Sequence, residues 1–127
     1  MSPQVLLDTS AVAAYTRGSV AVGELIMMVA DEDGHIGVPV TCVAEVYADA
    51  RGVEEAMLEH LTAATPGVVV LPMEPKDAAA IGRVSRLSGL GVGHAIVAAK
   101  SASAYIATAD GKRVRQLVDD ERMVIDV

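Results

Sequence analysis

Three carboxylates and one imidazole stand where an α/β chain could bring them together. Asp8 directly follows the apolar run Val5-Leu6-Leu7, and Asp110 follows Tyr105-Ile106-Ala107-Thr108 by two residues. Glu45 lies in the helix after a second apolar strand, and His94 opens an Ala-rich helix ahead of Tyr105. In an open parallel sheet, ligands bind beyond the carboxyl ends of the strands, and the first turns of the helices that leave those ends stay near them. All four residues therefore belong to one edge. Carboxylates crowded together repel one another and are held ionised by a divalent cation, and oxygen donors of this kind suit Mg²⁺ or Mn²⁺. Such an ion polarises a phosphate and acidifies an attacking water, which is what phosphodiester hydrolysis requires; two ions give the stronger form of the mechanism.

The elements that must position these residues follow from apolar pattern and punctuation. Strands are expected at Val5–Leu7, His35–Val38, Val68–Leu71, Tyr105–Thr108 and Met123–Ile125. The β-branched run Val68-Val69-Val70 reads as a strand buried on both faces. Helices are expected from Ala11, from Ser19 to Val29, from Pro39 to Ala50, from Glu54 to Ala64, from Pro75 to Leu87, from His94 to Ala102 and from Lys112 to Val118, with Gly89-Leu90-Gly91 as a loop. Strands alternating with helices favour right-handed βαβ crossovers. The expected architecture is α/β: a three-layer α/β/α sandwich with a parallel sheet of about five strands, in one domain spanning residues 1–127.

Composition narrows the functions. A net charge of −7 disfavours a broad basic face for nucleic acid, and three tyrosines with no Trp or Phe cannot make an extended stacking platform. A metal bridging an acidic pocket to phosphate escapes both objections. The single cysteine, Cys42, rules out an intrachain disulfide and a thiolate zinc cluster, and reads as core filling. No apolar window has the length of a membrane span, and Met-Ser-Pro-Gln lacks the character of a signal peptide, so a cytoplasmic protein is expected.

Val5-Leu6-Leu7-Asp8-Thr9-Ser10-Ala11, Val43-Ala44-Glu45-Val46, His94-Ala95-Ile96-Val97-Ala98-Ala99 and Ile106-Ala107-Thr108-Ala109-Asp110 resemble, in order, spacing and flanking residues, the PIN domain of VapC-type toxins. The resemblance spans nearly the whole chain. It implies a Mg²⁺- or Mn²⁺-dependent endoribonuclease acting on RNA, commonly paired with a cognate antitoxin and commonly a homodimer, with Asp8, Glu45 and Asp110 as its acidic catalytic and metal-site residues. The dimer expectation also draws on apolar Leu25, Met28 and Val29 in an early helix.

His94 departs from the family pattern, which has an aspartate at that position. A neutral imidazole offers one nitrogen lone pair, suited to Mn²⁺, Fe²⁺, Zn²⁺ or Ni²⁺ better than to Mg²⁺. His94 is therefore either a nitrogen ligand of a metal site or the mark of a catalytically silent scaffold that binds an antitoxin or RNA. Thr9 and Thr108 are secondary candidates for orienting a carboxylate or a water. Lys112, Arg113 and Arg115 form the basic cluster that can meet an RNA backbone at the rim. Two rivals fail on position: a phosphoacceptor receiver needs an aspartate at the end of strand three, where Leu71-Pro72-Met73 stands, and an aspartate-nucleophile phosphatase needs one at position 10, which is Ser10.

Overall fold

The computed structural model describes residues 2–127. In chain order the elements are β1 (Val5–Leu7), α1 (Thr9–Thr16), α2 (Val20–Asp31), β2 (Ile36–Pro39), α3 (Val40–Asp49), α4 (Val53–Ala64) and β3 (Val68–Leu71). A 3₁₀ turn at Pro75–Asp77 leads into α5 (Ala78–Ser88) and α6 (Leu90–Ala102), followed by β4 (Tyr105–Thr108) and α7 (Gly111–Arg115). A second 3₁₀ turn, Glu121–Met123, precedes β5 (Val124–Asp126). The strands make one sheet in the order β3-β2-β1-β4-β5, every pairing parallel.

That order carries the functional geometry. From β1 the chain steps outward to β2 and β3, then returns across the sheet to β4 and continues to β5. The direction of winding reverses, so right-handed crossovers put α1–α4 on one face and α5–α7 on the other. The three-layer sandwich of five parallel strands expected from the sequence is the observed fold. Between the carboxyl ends of β1 and β4 lies the switch point, and Leu7 pairs with Ala107 just before the two chains diverge there. The central strand is held from both sides: Leu6, Leu7, Ile106, Val38, Leu58 and Leu61 are fully buried, each contributing roughly 1.5–3 kcal/mol by leaving water.

Several local expectations are corrected. Leu90 and Gly91 form the first turn of α6 rather than a loop, so His94 sits in the second turn instead of opening the helix. Gly89, at φ 89°, makes the break between α5 and α6 in one residue. Pro39 ends β2 in extended backbone, and α3 begins after it. The last helix stops at Arg115, and Met123 belongs to a 3₁₀ turn. β3 is an edge strand with Val69 exposed, because the sheet order gives it one neighbour, β2. Leu25 and Val29 are buried in the chain's own core, which withdraws them from any surface argument for a dimer; Met28 remains exposed, with Val20 and Met27 on the same helix. Among the described residues no single helix is long and apolar enough to cross a membrane.

Candidate functional site

Asp8 leaves β1 as the N-cap of α1, its Oδ1 accepting the Ala11 N–H at 2.9 Å. The same oxygen accepts the Ser10 hydroxyl at 2.7 Å. Helix capping is the ordinary use of an aspartate at this place, yet it consumes only one carboxylate oxygen. Asp8 is 1% exposed, and its buried Oδ2 has no hydrogen-bond partner among the described residues. A buried acceptor left unpaired costs about 1–3 kcal/mol, more when charged, so this atom is the most telling feature of the site.

The β4 exit is tied to the same point. Ser10 Oγ accepts the Ala109 N–H at 2.9 Å and lies 3.1 Å from the buried Thr108 Oγ1, which accepts the Asp110 N–H at 3.0 Å. Asp110 occupies the N-cap position of α7 without using its side chain there, and is exposed. Asp8 and Asp110 thus stand on the two sides of the switch point, joined by two hydroxyls. Ser10 is the member that the motif reading passed over; its place directly after the Asp8-Thr9 pair was the available signal.

Glu45 approaches from α3. Its Oε1 accepts the Thr9 hydroxyl at 2.7 Å and the Gly91 N–H at 3.1 Å. Since Gly89, at the N-cap of α6, provides no side-chain bond, Glu45 caps that helix from another element. Glycine at 91 is required for this approach, because a Cβ there would run into Thr9 Oγ1 and Glu45 Oε1. The buried Cys42 donates its thiol to the Gly91 carbonyl at 3.1 Å. Burial, with the nearby negative charges of Asp8 and Glu45, pushes that thiol up to about 12. Cys42 is therefore a neutral packing group beneath the carboxylates rather than a nucleophile.

His94 looks elsewhere. It is 3% exposed, and its Nδ1 lies 2.8 Å from Thr41 Oγ1. It lines a small cavity with Pro72, Glu74, Lys76 and Asp77, a lining that includes none of Asp8, Glu45 or Asp110. Burial lowers its pKa, partly offset by the Pro72 backbone and the Asp77 charge. The reason is helical: because α6 starts at Leu90, Gly91 is the residue that meets Glu45, and His94 is most of a turn further round and about 4.5 Å deeper.

The basic cluster is largely committed within the protein. Arg115 makes a two-pronged pair with Asp126, at 2.6 and 3.1 Å, which holds the exposed Asp126 carboxyl below its usual range. Arg113 donates to the Leu87 carbonyl at 2.7 Å, bridging α7 to the end of α5. Among the described residues Lys112 alone of the three has no such bond, and it is exposed. Asp126, a further carboxylate at this edge that motif reading passed over, is neutralised by Arg115.

The three carboxylates Asp8, Glu45 and Asp110 therefore share one edge, each with an oxygen free of internal bonds. Among the described residues, no group of three or more His, Cys, Asp or Glu side chains is closely enough gathered to hold a metal as it stands. Comparison with known proteins adds no identification: no family model matches the chain, and no curated protein matches it.

Proposed function

We propose that this chain is a divalent-metal-dependent endoribonuclease of the PIN/VapC toxin type, working in the cytoplasm. The observation that carries the reading is the buried, unpartnered Asp8 Oδ2 at the switch point of a parallel sheet, the place where such sheets bind ligands. A cation is the natural partner for an orphaned carboxylate oxygen, and an all-oxygen donor set fits Mg²⁺ or Mn²⁺. Asp8 through Oδ2, Glu45 through its unengaged oxygen and Asp110 through its exposed carboxylate are the residues that would hold it. When bound, the ion supplies Lewis acidity at the scissile phosphate and a more acidic water. The chain's own part is positioning: Thr9 and the Gly91 N–H fix Glu45, and Lys112 offers a charge to the RNA backbone at the rim. In this reading His94 is not a ligand, so the preference for a later transition metal that a ligating imidazole would bring is not expected.

Pooled cellular RNA incubated with the protein in Mg²⁺, in Mn²⁺ and in excess chelator tests the proposal. Cleavage in at least one ion and none in chelator is expected; persistent cleavage in chelator would overturn it. A second reading, a catalytically silent module that binds an antitoxin or RNA, draws support from His94, which stands at the family's acidic position yet is engaged by Thr41. Binding of RNA without cleavage in either ion would favour it.

A homodimer belongs to the proposal as well, now resting on Val20, Met27 and Met28, which leave apolar surface on α2. Sedimentation at high protein concentration should show twice the chain mass, and a monomer there removes the claim.

A further inference from the structure

We propose that Ser10 is a positioning residue that decides which oxygen of Asp8 is presented to a metal and ties that oxygen's place to Asp110. The functional meaning rests on the metal-site reading above; the geometry does not. Ser10 Oγ donates its one proton to Asp8 Oδ1 at 2.7 Å. In the 3.1 Å contact between Ser10 and Thr108, the proton must then come from Thr108. Thr108 in turn accepts the Asp110 N–H. The bonds run in one direction: Asp110 N–H to Thr108, Thr108 O–H to Ser10, Ser10 O–H to Asp8 Oδ1.

Two consequences follow. Oδ1 already accepts from Ser10 and from the Ala11 N–H, so Oδ2 is the oxygen left to bind an ion. The loops leaving β1 and β4 are also cross-linked through Ser10, which additionally accepts the Ala109 N–H. A hydroxyl that serves only to stabilise α1 would have no reason to reach residues 108 and 109, ninety-eight and ninety-nine positions along the chain.

The test uses the full-length chain with Ser10→Ala and Ser10→Thr. It reads Mn²⁺ affinity from the free-ion electron paramagnetic resonance signal, and in metal-free protein the amide shifts of Ala109 and Asp110 and the carboxyl ¹³C shift of Asp8. Ser10→Ala should weaken Mn²⁺ by roughly 10–100-fold, the range for groups that orient ligands, and should move all three shifts. Ser10→Thr, which keeps the hydroxyl, should restore both sets. Unchanged affinity and shifts in Ser10→Ala would overturn the proposal, as would a folded Ser10→Thr that recovers neither. Should Ser10→Ala fail to fold, Thr108→Val removes the upstream link and should weaken Mn²⁺ with a displaced Asp110 amide; no change there overturns the proposal equally. If the wild-type protein binds no Mn²⁺, the metal-site reading fails by itself, and the metal-free shifts alone decide whether Ser10 orients Asp8.

Discussion

Asp8→Asn should remove metal-dependent RNA cleavage while leaving the protein folded. Asparagine caps helices about as well as aspartate, and its amide oxygen can take over both bonds now made by Oδ1, from Ala11 N–H and Ser10. Stability should therefore change by about 1 kcal/mol or less. What changes is Oδ2, the buried unpartnered atom, which becomes an NH₂ group that cannot bind a cation. The loss in Mn²⁺ affinity and in cleavage should exceed the roughly 10–100-fold typical of residues that merely support a ligand. Thermal melting, Mn²⁺ titration and RNA cleavage on the same preparation make the check, and a variant that cleaves like wild type removes Asp8 from the mechanism. Glu45→Ala is a less clean probe, because Glu45 also caps α6, a loss on the order of 1 kcal/mol that would mix unfolding with chemistry.

His94→Asp should damage stability and give nothing to catalysis. The substitution would restore the aspartate that the resembled family has at this position. In the structure it would bury a charge opposite Thr41 and near Asp77, in a cavity that none of the three site carboxylates lines. Burying a carboxylate there, with the cavity's one named cation, Lys76, itself exposed, costs on the order of 2 kcal/mol, a fall in Tm of roughly 10 °C for a domain of this size. A stable His94→Asp protein with enhanced Mg²⁺ cleavage would contradict this placement of the side chain.

The same burial sets a pH dependence for the wild-type protein. The folded pKa of His94 lies below that of the unfolded chain, about 6.5. Above that value both states carry a neutral ring and no slope arises. As pH falls below it, the unfolded chain binds the proton first, so stability declines until the folded pKa is reached, by at most about 1.4 kcal/mol per pH unit for one proton. Urea midpoints between pH 7.5 and 5 should show a decline that is smaller in His94→Gln; an identical decline in both proteins would assign it to other groups.

Much of the fold was legible because it is written locally. Val5-Leu6-Leu7, Val68-Val69-Val70-Leu71 and Tyr105-Ile106-Ala107-Thr108 are apolar runs of strand length, and their alternation with helical segments leaves few topologies besides a parallel sheet. Chain direction then puts Asp8, the first turns of α3 and Asp110 at the carboxyl edge without any knowledge of packing. The start of α6 was not legible in this way. Leu90-Gly91-Val92-Gly93 is poor helix sequence, and its helical turn is held by residues distant in sequence: Glu45, forty-six residues away, accepts the Gly91 N–H, and Cys42 donates to the Gly91 carbonyl.

The placement of His94 follows from that helix start. Each residue of a helix turns the side chain by about 100°, so the true start of α6 determines that Gly91, not His94, meets Glu45. Likewise, sequence distinguishes neither oxygen of Asp8, whereas Ser10 and Ala11 engage one and leave the other bare. By itself the sequence determined which elements form and which edge each polar residue occupies, since both depend on neighbouring residues and chain direction. Only the tertiary structure decided where His94 points, that Arg115 pairs with Asp126 and which carboxylate oxygen is free, because a hydrogen-bond partner is chosen by three-dimensional proximity, which no local pattern records.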